Sequence, residues 1–547
     1  MLRITEIKLP LDHPEEALHE AILKRLGIAP AELLSFKVFK RSPDARKKSD
    51  IALIYSVDVE VRNEAALLAK VTAADRKRKA PGMVMPSPDM AYRFVGHAPA
   101  GFSERPVVIG MGPCGFMAAL LLAQMGFRPI VLERGKQVRE RTQDTWGLWR
   151  KKTLNPESNV QFGEGGAGTF SDGKLYSQIK DPRYLGRKVL EEFVKAGAPE
   201  EILYVSKPHI GTFRLVGMVE KIRAEIESLG GEIRFRHKVE DVLIEGGQVK
   251  GLFVSAPEKG PEFLAASHVV LAVGHSARDT FQMLFDRGVH IEAKPFSIGF
   301  RIEHPQSLID EARFGRFTGH PILGAADYKH VYHASNGRSV YSFCMCPGGT
   351  VVAATSEEGR VVTNGMSQYS RNERNANAGF VVGITPEVDY PGHPLAGIAF
   401  QRKWESRAFE LGGGEYMAPA QLVGDFIAGR ASTALGEVEP SYKPGVTPCS
   451  LATALPDYAI AAMREALPAL DRQIRGYAMH DAVLTGVETR TSSPIRIRRG
   501  KDYQSVNTRG LFPAGEGASY AGGILSAAVD GIEVAEAVVK SLLGLPD

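Results

Sequence analysis

Cysteine is scarce in this chain: four in 547 residues, at Cys114, Cys344, Cys346 and Cys449. That excludes a disulfide-stapled scaffold and points to a reducing, cytoplasmic compartment. Charge of one sign is also lacking, since 67 basic against 63 acidic residues leave +4, too little to demand nucleic acid or a membrane surface as partner. The opening Met1-Leu2-Arg3-Ile4-Thr5-Glu6 runs into Pro10 and Asp12 without an apolar segment, so no secretory signal is expected. There is no internal repeat and no low-complexity tract. One uncharged stretch, Pro106 to Phe127, is long enough to imitate a membrane span, but its glycines and Pro113 divide it into strand, turn and helix. No metal is expected. A hydrophobic content of 44% with 24% charged residues is ordinary for a protein with large cores. The length calls for roughly two to four domains.

What is present is a dinucleotide-binding βαβ unit. Val107-Val108-Ile109 reads as a strand, Gly110-Met111-Gly112-Pro113-Cys114-Gly115 as the turn, Phe116 to Met125 as a helix, and Pro129 to Leu132 as a second strand ending at Glu133. Gly110 permits the tight turn, Gly112 lets backbone approach a pyrophosphate, and Gly115 lets the helix lie against the sheet. The helix N-terminus offers free N–H groups and a positive dipole to the phosphates. Glu133 stands where a carboxylate can accept the hydroxyls of an adenosine ribose. Cys114, inside the turn, reads as a small space-filler.

Residues 1–72 form a small α/β module, a βαββ unit. Ala17, Leu18, Ala21, Ile22 and Leu26 make one helical stripe, Leu34 to Lys40 is a strand, and Ile51, Leu53, Tyr55, Val57, Val59 and Val61 alternate onto one face of another. Lys40 to Lys48 between them reads as a basic hairpin loop, and residues 73–104 as a linker. Residues 105–288 are the first part of a dinucleotide domain. Its Ile233–Phe235, Val239–Ile244 and Val249–Val254 are expected to form a small antiparallel crossover sheet, and Val269 to Gly274 a central parallel strand. Residues 289–480 change to mixed strands and glycine clusters, the expected substrate domain. Residues 481–547 return to the first domain, with Gly510 to Gly517 as a strand entering a phosphate-type turn before a helix.

These segments resemble FAD-containing oxidoreductases with a glutathione-reductase-like FAD domain. Ser158 to Leu175, Ser342 to Gly349 and Glu488 to Pro494 are closer still to a bacterial family known as NAD(FAD)-utilising dehydrogenases, a resemblance that spans nearly the whole chain. It implies an α/β fold with a Rossmann-like FAD-binding domain split in sequence, a mixed α+β substrate domain and bound FAD. It also implies cofactor contacts from Gly110, Gly112, Pro113, Cys114 and Gly115, and from Glu133 and Arg134. Further contacts are implied at Gly166, Gly168, Thr169, Ser171, Gly173 and Lys174 of the glycine run, at Val239 and Gly274, and at Gly515, Glu516, Gly523 and Ile524 of the late turn. An aspartate is usual where this chain has Glu516.

The expected function is hydride transfer between an organic substrate and flavin. Lys174, His275, Arg278 and Arg490 are candidates to polarise a substrate or hold its anionic group, with His275 the best proton shuttle by its ordinary pKa. The competing reading of each is a salt bridge or a helix-end contact. Two other classes stand beside this one: an RNA-modifying flavoenzyme using the basic loop, against which the small net charge argues, and a non-catalytic FAD-binding redox sensor. No second dinucleotide motif follows, because Gly348-Gly349 and Gly412-Gly413-Gly414 lack the strand and the acid, so NADH or NADPH would dock transiently. Cys344 and Cys346, at strand positions i and i+2 about 6.6 Å apart, could form only a strained disulfide relay. The plainer expectation is two small packed side chains. Substrate and oligomeric state stay open.

Overall fold

The structure is a computed structural model that describes residues 1–78 and 82–546. Residues 79–81 of the expected linker and residue 547 lie outside the described residues.

The N-terminal sheet is antiparallel, with strands in the order Leu33–Asp44, Ala52–Val61, Leu2–Pro10 and Val84–Pro86. Leu53, Tyr55, Val57, Val59 and Val61 are buried while the residues between them are not, as period-two alternation requires. Helix Glu16–Leu26 covers this face with Leu18, Ile22 and Leu26, spaced one turn apart. Two expectations change here. Lys40 to Asp44 is strand rather than loop, paired from Lys40 on Ser56 to Asp44 on Ala52. The stretch read as a linker carries the end of helix Glu64–Arg78 and the fourth strand, which Leu2–Pro10 recruits by edge pairing.

A five-stranded sheet, parallel throughout, runs Leu511–Pro513, Val269–Leu271, Val107–Ile109, Ile130–Glu133, Glu232–Phe235. Ile233–Phe235 therefore belongs to this sheet and not to the crossover sheet. The antiparallel sheet is instead made of Lys238–Glu245, Gln248–Ala256 and Lys259–Ala265. The uncharged stretch resolves as strand Val107–Ile109 and helix Pro113–Gln124, whose residues from Cys114 to Ala123 are all buried. Helix Ile524–Leu543 lies so close to it that a Cβ on Gly531 would stand 2.4 Å from the Cys114 carbonyl oxygen. Two helices in contact need apolar faces, which accounts for the missing charge. No helix among the described residues is long and apolar enough to cross a membrane.

The third layer is an eight-stranded sheet. Val331–His333, Ser339–Ala353, Asn375–Ile384, Phe296–Pro305, Val483–Glu488, Ala418–Leu422 and Val446–Pro448 follow one another, and Thr363–Ser367 pairs with Ser339–Ala353. Helix Asp457–Asp471 buries Ile460, Met463, Leu467 and Leu470 in the same core. Val483–Glu488 belongs to this sheet although it lies beyond residue 480, where a return to the first layer was expected. The chain enters and leaves the layer side by side, through the antiparallel pair Ile291–Ala293 and Ile495–Ile497.

Candidate functional site

The glycine turn leaves the C-terminal end of Val107–Ile109, the place where open parallel sheets receive ligands. Gly110 has φ +97°, and a Cβ there would stand 2.3 Å from the Ala272 carbonyl oxygen. Gly112 differs, because its added Cβ would meet only Gly166 Cα at an ordinary 3.6 Å. The fold leaves ordinary contact distance for a Cβ at Gly112, so its bareness serves whatever lies against the turn. Helix Pro113–Gln124 begins there, and Phe116 is the first residue to donate within it, to Gly112 O at 2.9 Å. The Cys114 and Gly115 amides thus face out of the helix end.

Glu133 does more than the sequence suggests. Its buried carboxylate accepts N–H bonds from Met111 at 2.9 Å, Gly135 at 2.8 Å and Gly163 at 3.0 Å, tying three loops to one side chain. Arg141, which no motif pointed out, shapes the glycine run from inside. Its buried guanidinium donates to the carbonyls of Asn159, Val160 and Glu164 at 2.7–2.8 Å, and a Cβ on Gly163 would collide with its Cδ at 2.3 Å. The run then reaches the turn and the late segment together. A Cβ on Gly166 would be 2.7 Å from Gly112 Cα, one on Gly168 would be 2.9 Å from Ile524 Cγ1, and one on Gly515 would be 2.9 Å from Cys114 Cβ. Gly274 and Gly517 also touch, at 2.5 Å by the same measure. The hydroxyls of Thr169 and Ser171 are turned into the run, on Glu164 O and Gly168 O. Gly173 donates to Ser171 Oγ at 3.1 Å, and Gly523 opens the last helix. Arg134 follows Glu133 and pairs with Glu157 at 2.7 Å and Asp279 at 2.9 Å over the Phe162 ring, and Val239 is buried in the antiparallel sheet.

Of the four catalytic candidates only Lys174 keeps a position suited to the part. It extends from the glycine run to the eight-stranded sheet, where Nζ donates to the Met345 carbonyl. Burial would lower its pKa, but Cys344, Cys346 and Asp172 outweigh burial and raise it, so it stays an ammonium. Burial, with Arg490 and Arg278 nearby, pushes the His275 pKa down to about 3, which favours the neutral imidazole. Arg278 and Arg490 are spent on an internal network. Arg278 donates to Glu405 at 2.7 Å and Gln401 at 2.9 Å and also pairs with Glu357; Arg490 donates to Ser356 Oγ at 2.7 Å and Glu405 at 3.2 Å. Neither guanidinium is free to hold a substrate anion.

The cysteines break the strand expectation. Phe343 pairs with Gly379 and Cys346 with Asn377, so three residues on one strand oppose two on the other, and Cys344 has φ +42°. That bulge brings Cys346 Sγ to 3.4 Å from the Cys344 carbonyl oxygen. Nearby, a cavity of 810 Å³ is lined by Lys294, Phe296, Tyr341, Phe343, Thr385 and Thr491 among others. It opens where the chain passes between the parallel sheet and the eight-stranded one. Burial pushes Lys294 down and Glu516 up to about 7, and each opposes the shift of the other.

A family model for an FAD-dependent protein, C-terminal domain-like, matches residues 295–491, and one for a domain of unknown function matches residues 1–60. An uncharacterised protein of Clostridium beijerinckii is 48% identical over 543 residues, covering 98% of each chain. The chain belongs to that protein's family, and its cofactor is FAD. The thiamine thiazole synthase of Aeropyrum pernix is 25% identical over 233 residues, 40% of this chain and 72% of that protein. Among solved structures, the flavin-dependent brominase Bmp2 is 14% identical over 81% of this chain and 80% of its own, with a TM-score of 0.36.

The residues of this flavoprotein fit FAD on two local observations. Gly112 is bare where the fold has room for a Cβ, and unpaired helix-end amides stand beside it. Four residues that sequence reasoning passed over complete the surroundings: Arg141, Lys294, Arg301 and Glu488. Arg301 carried a signal, being a charge set beside Phe296, Ile298, Phe300 and Ile302 in an alternating apolar strand whose residues 296–304 are all buried. A charge there requires a partner, and Glu488 is that partner.

Proposed function

We propose that this flavoprotein is an oxidoreductase that moves a hydride between an organic substrate and FAD, in the manner of the NAD(FAD)-utilising dehydrogenases, with a split Rossmann-like FAD domain of glutathione-reductase type. The observation that carries the reading is the meeting of three glycine segments, around Gly112, Gly166 and Gly515, at the N-terminus of one buried helix. In this reading the FAD domain comprises residues 105–288 together with the C-terminal residues after the eight-stranded sheet, and residues 289–488 form the substrate layer. The turn amides would hold the pyrophosphate, the Glu133 loop the adenosine ribose, and Glu516 the pyrimidine edge. FAD bound there supplies two-electron chemistry. The 810 Å³ cavity receives the substrate, and its walls exclude water. Glu516, with a pKa near neutrality, holds or releases a proton at its carboxylate, and Lys294 steadies the charged form. NADH or NADPH, where one serves as donor, docks transiently.

The basic segment on which the RNA reading rests is in part a strand. The Arg41 backbone is occupied by Tyr204 O at 2.7 Å and Ser206 N at 2.9 Å, and Arg46 is paired with Asp44 at 2.7 Å. The test of the oxidoreductase reading is an anaerobic screen of metabolites against the holoprotein. A substrate that bleaches the flavin absorbance and is itself oxidised supports it. A flavin that only dithionite reduces, with no metabolite turned over, would favour the redox sensor.

A further inference from the structure

The bulge at Cys344 gathers more charge than two packed side chains need. Arg301 Nη1 donates to the Cys344 carbonyl at 2.8 Å, and Lys174 donates to the next carbonyl, that of Met345. Cys346 Sγ is turned back toward Cys344, donating to its carbonyl at 3.4 Å. The neighbouring strand is cut away to admit this: a Cβ on Gly365 would stand 2.9 Å from Cys346 Sγ and 3.0 Å from Arg301 Cζ. Two cations, two thiols and a missing side chain therefore occupy one spot.

Of the two cations, Lys174 has the weaker counter-ion. Arg301 has Glu488 at 2.9 Å. Lys174 has only Asp172 within 4.0 Å among the described residues, at 3.9 Å, and Asp172 is already held by both Nε and Nη2 of Arg371 at 2.9 Å and 2.5 Å. A half-buried ammonium with so distant a counter-ion favours a further anion beside it, and a thiolate from the bulge would supply one. In keeping with this, the Cys346 side chain, with Lys174 and Arg301, outweighs burial and holds the Cys344 thiol well below its ordinary value, while Cys344 and burial push Cys346 up. A thiolate at Cys344 beside a protonated Cys346 is the state from which a disulfide forms.

We propose that Cys344 and Cys346 are a redox-active dithiol, a second two-electron centre that exchanges electrons with the bound FAD. The proposal rests on FAD occupying the glycine cradle, because Lys174 at the end of the run joins that cradle to the bulge. On oxidation of the dithiol the Cys344 thiolate bonds to the Cys346 sulfur, the Cys346 S–H bond breaks, and the electron pair with that proton reduces FAD. In the reverse direction reduced FAD returns the pair, the S–S bond breaks, Cys346 regains the proton and Cys344 is left a thiolate beside Lys174. The exchange is balanced without a further reagent.

The test is an anaerobic dithionite titration of the holoprotein, with peptide mass spectrometry of its thiols. Wild-type protein should take up four electrons per FAD, and Cys344→Ser and Cys346→Ser two, with flavin absorbance kept in both. Air-oxidised wild-type protein should yield a linked Cys344–Cys346 peptide that reduction converts to two alkylatable thiols, a readout that needs no variant to fold. Two electrons per FAD in wild type, with both thiols alkylated after denaturation of the air-oxidised protein, would overturn the dithiol and leave the flavin reading intact. A well-folded protein without flavin absorbance would overturn both.

Discussion

Arg301 donates through Nε to Glu488 at 2.9 Å inside a strand with no exposed residue. The same guanidinium reaches Cys344 O at 2.8 Å and Asn364 Oδ1 at 2.9 Å, so each arm of its fork is used. Arg301→Ala leaves a buried carboxylate and two acceptors unpaired and should destabilise by about 3–5 kcal/mol in denaturant unfolding. Arg301→Lys cannot reproduce the fork and should recover only part of that loss. Full recovery by lysine would mean that the charge alone matters.

Alkylation of Cys344 should be nearly independent of pH from neutrality down to about 5, where burial is outweighed by the Cys346 hydrogen bond and the two cations. An ordinary thiol, with a pKa of about 8.5, loses reactivity roughly tenfold per pH unit over that range. Iodoacetamide labelling followed by mass spectrometry distinguishes the two. Tenfold decline per unit at Cys344 from pH 8 downward would remove the thiolate.

His275 contributes acid sensitivity. Its folded pKa is pushed down to about 3, against about 6.5 unfolded, so between those values the unfolded chain binds the extra proton and stability falls as pH falls. The slope from this one group approaches about 1.4 kcal/mol per pH unit at full occupancy of the difference. His275→Gln should flatten the unfolding free energy between pH 6 and pH 4 relative to wild type. An unchanged slope would show that His275 is not the group responsible.

Glu133→Ala removes the acceptor of three buried N–H groups, from Met111, Gly135 and Gly163. Each orphaned donor costs about 1–3 kcal/mol, so the variant should lose stability as well as FAD. Glu133→Gln keeps one acceptor oxygen and should retain more of both. Normal stability with FAD lost would restrict Glu133 to the ribose.

The phosphate turn was legible in the sequence because its constraints are local: Gly110 needs a positive φ, and the helix starts within three residues of it. Alternation from Leu53 to Val61 was legible for the same reason. What escaped depends on partners far along the chain. Ile233–Phe235 has the apolar character of either sheet, and only its pairing with Ile130–Glu133 assigns it to the parallel one. Arg278 and Arg490 looked free because Glu405, which consumes both, is far from each in sequence. His275 was judged by its ordinary pKa, and burial among those arginines cannot be seen in one dimension. The bulge that joins Cys344 to Cys346 is set by the opposing strand, Asn375–Ile384.

The most direct measurement of the central claim is the FAD content of Gly112→Val. A first side-chain carbon at this glycine meets nothing nearer than 3.6 Å within the protein, whereas a pyrophosphate against the turn leaves no space for branched carbons. The account predicts a variant with native circular dichroism and little or no bound flavin. A well-folded Gly112→Val protein carrying a full complement of FAD would contradict it.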